Sequence, residues 1–146
     1  MSTEARSKFP NETGGVLVGY WSADGRQVVI VDIVGPGPRA KHSKTSFCPD
    51  GSFHIEEVER IYSTSGRVVT YLGDWHTHPT GGNTPSDRDQ RTLKMIACDP
   101  EARAPCPVMA ILDGEQDWEL GIWVLMPAKT WFRSRRVLVQ AKVIRW

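Results

Sequence analysis

The segment Val68-Val69-Thr70-Tyr71-Leu72-Gly73-Asp74-Trp75-His76-Thr77-His78 constrains the fold most. It is β-branched and aromatic, it is stopped by Pro79, and it lies between two stretches of helical periodicity. A strand set between helices belongs to a mixed α and β (α+β) unit with helices covering a sheet. Between Gly51 and Gly66, Ile55, Val58, Ile61 and Tyr62 recur at helical spacing, with Gly66 placed as a C-terminal cap. A second helix starts at Ser86, carries Asp87 and Asp89 in its first turn and Leu93 and Ile96 on one face, and ends at Asp99-Pro100. Val16–Trp21 and Val28–Val34 flank Asp24-Gly25, and Val108–Leu112 and Trp118–Met126 flank Asp113-Gly114, so two hairpins are expected. Val137 to Ile144 reads as a last strand, with Arg136, Leu138, Gln140, Lys142 and Ile144 on one face.

A chain of 146 residues, 40% apolar and 24% charged, is expected to form one soluble domain over residues 1–146, with 127–146 as its basic strand extension. No apolar run approaches the roughly 18 residues of a membrane span, and the polar start is unlike a secretory leader, which points to the cytoplasm. Cys48, Cys98 and Cys106 are odd in number and lack CxxC spacing. They read as buried free thiols rather than as a disulfide framework or a four-thiolate zinc site. The net charge of +1 hides a split: the six charged residues from 120 onward are all basic (Lys129, Arg133, Arg135, Arg136, Lys142, Arg145), leaving 12 basic against 17 acidic groups upstream, a balance of −5. A basic tail is a nucleic-acid signal. Here its strand alternation suits a solvated or partner-docking flank better than a groove reader.

Strand period decides what His76 and His78 can do. Side chains two apart share a face at roughly 6.5–7 Å between Cα atoms, so both imidazoles can converge on one ion while Trp75 and Thr77 point away. The turn-rich loop Pro79-Thr80-Gly81-Gly82-Asn83-Thr84-Pro85 then delivers the chain to the helix start, with Ser86 as N-cap and Asp89 as third helical residue. A carboxylate there can reach back to the strand end, completing the two-imidazole, one-carboxylate set of a catalytic zinc site with a position left for water. Each part has a plainer reading: a strand histidine is usually structural, and Ser86-x-x-Asp89 is also an ordinary capping box. Asp74 shares the histidine face and is a candidate acceptor to orient a zinc-bound imidazole, although an exposed acid at the strand end is the favoured reading. Gly14, Gly15 and Gly19 are followed by strand rather than helix, which favours close backbone approach over a phosphate loop. His42, in a basic loop, and His54, on the first helix, read as surface or structural residues.

The arrangement His76-Thr77-His78, seven residues beginning with Pro79, Ser86, two residues, Asp89 resembles the JAMM motif, also called MPN-plus or JAB, of zinc metallo-isopeptidases that remove ubiquitin-like proteins. Glu12-Thr13-Gly14-Gly15-Val16-Leu17-Val18-Gly19 is similar to that family's upstream half, and the resemblance spans about residues 9 to 126. It implies a curved, cytidine deaminase-like sheet flanked by helices, and one Zn2+ per chain held by His76, His78 and Asp89. It further implies Glu12 as general base and Ser86 as donor to the reacting oxygen. The implied substrate is the C-terminal tail of a ubiquitin-like protein or its conjugate, cut by deconjugation or precursor processing. The short stretch after Asp89 is like the bacterial branch, whose members sit in anti-phage operons with activating and conjugating enzymes or beside sulfur-carrier proteins. The first setting is favoured here. The family places a strand and a helix before its glutamate, whereas eleven residues precede Glu12, so an uncovered strand edge and a homodimer through it are expected. Sulfur-carrier processing, a silent scaffold of the same fold and a nucleic-acid module are the competing functions.

Overall fold

The computed structural model describes residues 1–115, 117–128 and 135–144. Its elements run α1 (Ser2–Lys8), β1 (Gly14–Trp21), β2 (Val28–Val34), β3 (Lys41–Ser43), β4 (Ser46–Cys48), α2 (Gly51–Thr64), β5 (Thr70–His78), α3 (Asp87–Cys98), β6 (Val108–Asp113), β7 (Glu119–Ala128) and β8 (Arg135–Gln140). Six strands form one mixed sheet in the order β2-β1-β5-β6-β7-β8, and β3 and β4 form a separate ribbon. The β5–β6 pair is parallel and is bridged by α3, while the two expected hairpins, β1–β2 and β6–β7, are antiparallel. The mixed α and β architecture therefore follows the alternation visible in the sequence.

One sheet face carries Leu17, Leu72, Trp75, Val108, Ala110, Leu112, Ile122 and Val124. On the other, Val16, Val18, Val34 and Val69 pack on Ile61 of α2, and Met109, Ile111 and Leu125 pack on Leu93 of α3. At Gly73 the pairing of β5 with β1 slips: Leu17 faces Gly73 but Val18 faces Tyr71. Gly73 has φ +147°, and a Cβ there would run into the Val108 carbonyl oxygen, so glycine is required. The slip brings Tyr71 onto the face of Asp74.

Helix α2 ends at a Schellman-type cap in which Gly66 adopts φ +69° and the Arg67 amide bonds the Tyr62 carbonyl at 2.9 Å. Its buried stripe differs from the expected one. Ile55 is 64% exposed, whereas His54 is 8% exposed and donates from Nε2 to the Gly35 carbonyl at 2.8 Å. The inward row starts one residue earlier than the apolar spacing implied, and the imidazole is accommodated there with its Nε2 satisfied by the Gly35 carbonyl.

Helix α1 occupies the segment before Glu12, and β1 has β2 and β5 on its two sides, so the strand after Glu12 has no free edge and the sheet ends at β2 and β8 among the described residues. Three further expectations are corrected. Cys48 and Cys98 are exposed and Cys106 is half-buried; all three are free thiols, but they are not core residues. The last strand stops at Gln140, once the Ala141 amide has reached the Ile122 carbonyl, and Val143 and Ile144 lie exposed beyond it. His42 lies on β3 rather than in a loop. Within β8, Arg136 turns inward with Leu138 and bonds the carbonyls of Pro105 and Ala97, so it anchors the strand to the end of α3. Lys129, Arg133 and Arg145 of the basic tail lie outside the described residues. Among the described residues no helix is long and apolar enough to cross a membrane.

Candidate active site

At the C-terminal end of β5, His76 and His78 are half-buried and share a face, with their Nε2 atoms 2.9 Å apart and their ring centroids 4.7 Å apart. Asp89 spans the pair: Oδ1 lies 3.4 Å from His76 Nε2, and Oδ2 lies 3.4 Å from His78 Nε2. Among the described residues these three form the cluster able to hold a metal ion. A tetrahedral ion with ligand bonds of about 2.0–2.1 Å has donor atoms about 3.3 Å apart, so two imidazole nitrogens and one carboxylate oxygen at these separations fit a divalent ion.

Local structure explains why Asp89 is there. Ser86 caps α3: its Oγ accepts the Asp89 amide at 3.3 Å, and Asp89 Oδ2 accepts the Ser86 amide at 2.8 Å and the Ser86 hydroxyl at 2.6 Å. The capping box and the cluster are thus the same residues, and the two readings of Ser86-x-x-Asp89 coexist. Burial works against the charge on Asp89, but hydrogen bonds with His76, His78 and Ser86 outweigh it and hold the carboxyl far below the usual range. The Asp89 hydrogen bond raises His78 above its ordinary value despite partial burial. The other ring nitrogen of His78, Nδ1, donates to the Gly82 carbonyl at 2.9 Å, so in the neutral ring it is Nε2 that carries the lone pair toward the cluster.

Glu12 lies on the connection from α1 to β1 and faces the same cleft of about 300 Å³, together with His76, His78, Ser86, Arg88 and Asp89. Burial pushes its carboxyl above the ordinary 4.5, partly opposed by the two histidines. Its approach is possible because β1 opens with two glycines. Gly14 pairs with His76, and a Cβ on it would strike the Trp75 carbonyl oxygen, while one on Gly15 would strike the Val34 carbonyl oxygen. The neighbouring Thr13 and Thr77 are both fully buried and bond reciprocally: the Thr13 amide to Thr77 Oγ1 at 2.9 Å, and the Thr77 amide to the Thr13 carbonyl at 2.8 Å.

Asp74 is not the exposed acid favoured from sequence. It accepts a hydrogen bond from the Tyr71 hydroxyl at 2.7 Å, and burial raises its carboxyl. That bond comes from tyrosine rather than from a histidine ring. Trp75 packs inward, as expected, and donates from Nε1 to the Val34 carbonyl at 2.9 Å.

Three supports escaped the sequence reading. The Thr13–Thr77 pair left one signal, since a threonine between two histidines must face the core and there needs a partner. His42, whose Nδ1 donates to the Glu12 carbonyl at 3.0 Å, and Asp113, whose Oδ1 accepts the Gly82 amide at 3.0 Å, left none, because both bonds cross some 30 residues of chain.

Over residues 1–126 the chain matches the family described as prokaryotic homologs of the JAB domain. A protein of Sinorhizobium fredii named probable metalloprotease y4qB is 45% identical over 115 residues, covering 77% of this chain and 70% of its own length. Proteins of Enterobacter hormaechei and Vibrio cholerae named CD-NTase/cGAS isopeptidase are 31% and 28% identical, covering 79% and 75% of this chain. The chain spans 62% and 66% of the length of those two relatives. The solution structure of protein DSY2949 from Desulfitobacterium hafniense shares the fold, with a TM-score of 0.59 and 20% identity over 97% of this chain and 83% of that one. With most of its length matched and a relative this similar, the chain belongs to the prokaryotic JAB-domain family and is a hydrolase of the metalloprotease class.

Proposed function

We propose that this chain, as a single domain over residues 1–146, is a zinc-dependent isopeptidase that cuts after the C-terminal tail of a ubiquitin-like protein. His76, His78 and Asp89 would hold the ion. The observation that carries this reading is the convergence of these three donors beside Glu12 in one open cleft. A nitrogen-rich, three-donor set with room for a fourth ligand favours zinc over harder, oxygen-seeking ions. When bound, such an ion supplies a Lewis acid that acidifies water and polarises the scissile carbonyl.

The chain's own residues do the rest. Glu12, whose proton affinity is raised by burial, takes a proton from the attacking water at its carboxylate and returns it to the departing amine, which must be protonated to leave. Ser86 is exposed at the cleft. Its hydroxyl, bonded to Asp89 Oδ2 in this structure, turns toward the developing oxyanion. Asp74 serves as a support beneath the histidine face through Tyr71 rather than as a direct partner of an imidazole.

The isopeptidase names of the Enterobacter and Vibrio relatives support a conjugate as substrate over a sulfur-carrier precursor. The same names support a conjugation system as the setting, and the proposal takes activating and conjugating enzymes as its partners and the cytoplasm as its place. The test is elemental analysis combined with cleavage of a ubiquitin-like protein joined through its C-terminal glycine to a lysine amine. One zinc per chain and turnover abolished by a chelator are expected. Glu12→Gln should keep the metal and lose on the order of 10² to 10⁴ in rate. A metal-free chain, or turnover indifferent to chelator, would overturn the reading.

A further inference from the structure

Glu12 sits outside the main sheet, two residues before β1 begins, and both polar groups of its peptide backbone are taken by the β3–β4 ribbon. Its amide donates to the Ser43 carbonyl at 2.8 Å, and its carbonyl accepts from His42 Nδ1 at 3.0 Å. A carbonyl can only accept, so His42 must carry its proton on Nδ1. The His42 ring is held in turn by Phe47, its cross-strand partner on β4, with ring centroids 5.4 Å apart and planes at 33°. Phe47 lines the same cleft as Glu12, and its Cε1 lies 2.9 Å from where a Cβ on Gly14 would be. A chain of contacts therefore runs from the cleft wall through Phe47 and His42 to the backbone of Glu12.

We propose that His42 is a positioning residue for Glu12, holding the carboxylate at the working distance through the main chain, with Phe47 tying that hold to the wall against which substrate lies. The proposal rests on the reading of Glu12 as the general base. A carboxylate on a short connection has several rotamers and a mobile backbone. Fixing both the amide and the carbonyl removes the backbone part of that freedom, and a displacement near 1 Å at a reacting group is worth on the order of a hundredfold in rate.

The test compares His42→Ala, which removes the donor, with His42→Asn, whose side-chain amide can still donate to the Glu12 carbonyl. Two measurements are made on the full, zinc-loaded chain. One is hydrogen exchange at the Glu12 amide. The other is steady-state cleavage of ubiquitin carrying a fluorogenic amide on its C-terminal glycine. In His42→Ala the Glu12 amide is expected to exchange roughly tenfold faster while amides of β5 and α3 keep their rates. The same variant should lose about tenfold to a hundredfold in kcat, with KM and metal content unchanged. His42→Asn should recover most of both. Adding His42→Ala to Glu12→Gln should cost nothing further, since the two act as one unit.

Unchanged exchange at Glu12 in His42→Ala, or a rise in KM alone, would overturn the proposal. So would a double variant slower than Glu12→Gln by the full His42→Ala factor. An inactive Glu12→Gln beside a fully active His42→Ala overturns this inference and leaves the base assignment standing. A fully active Glu12→Gln overturns the base assignment, and with it the catalytic consequence of the hold. The exchange measurement needs no turnover, so it decides whether His42 fixes Glu12 even if this substrate is refused.

Discussion

Asp89 does two jobs with one carboxylate. Oδ2 accepts two hydrogen bonds from Ser86 and so closes the first turn of α3, while Oδ1 faces His76. The jobs separate under substitution. Asp89→Asn keeps an oxygen able to accept the Ser86 amide, so unfolding free energy should fall by no more than about 1 kcal/mol, the worth of a helix cap. Metal content, read by elemental analysis after dialysis, should fall below detection because an amide oxygen is a poor zinc ligand. Retention of a full equivalent of metal would contradict the assignment. The residues of the cluster were legible because strand parity and helix-start chemistry are local rules. The surroundings of Asp74 were not, since its partner Tyr71 reaches the same face only through the slip at Gly73. Tyr71→Phe should cost about 1–3 kcal/mol in urea denaturation by stranding a buried carboxyl, and no loss would show the bond to be immaterial.

Helices α2 and α3 begin alike, yet they are fixed by different neighbours. Asp50 caps α2 by accepting the Phe53 amide at 3.3 Å, and it also accepts the Arg39 amide at 3.1 Å and two guanidinium bonds at 3.0 Å. The Arg39 side chain holds the Asp50 carboxyl below its ordinary 3.8. A carboxylate with a depressed folded pKa adds stability that is complete above the unfolded value and lost as pH falls through the folded one. Asp50→Asn retains a good N-cap and removes the ion pair. The thermal midpoint of the native chain should therefore exceed that of Asp50→Asn by a constant margin above about pH 5, and the margin should shrink below about pH 4. A margin independent of pH down to pH 2 would show that the pair adds nothing. The position of α2 was readable from its periodicity and its glycine stop. Its rotation was not, because His54 is buried for the sake of one hydrogen bond to Gly35 that no local pattern announces.

At the scale of the molecule, the parallel β5–α3–β6 crossover puts a strand end and a helix start side by side, and the sequence shows this as a strand, a turn-rich loop and a capping box. What it does not show is how remote segments are fastened around that joint. Thr13 is tied to Thr77, Asn83 receives the Trp123 indole at 2.8 Å, and Asp113 receives the Gly82 amide at 3.0 Å. The last of these reaches the cluster. Asp113 pairs with His78 in the β5–β6 ladder, and Gly82, whose amide it anchors, presents the carbonyl on the other side of its Cα to His78 Nδ1 at 2.9 Å. Removing the anchor frees Gly82, and a freed carbonyl no longer selects the tautomer or ring angle that aims Nε2 at the ion. Such outer partners of a ligating histidine are worth about tenfold to a hundredfold in metal affinity. Asp113→Ala should weaken zinc binding by that factor in competition with a chromophoric chelator, while Asp113→Asn, which keeps the accepting oxygen, should restore most of it. Equal affinity in the native chain and Asp113→Ala would mean that the loop holds its shape without this bond, and that His78 is aimed by Asp89 alone.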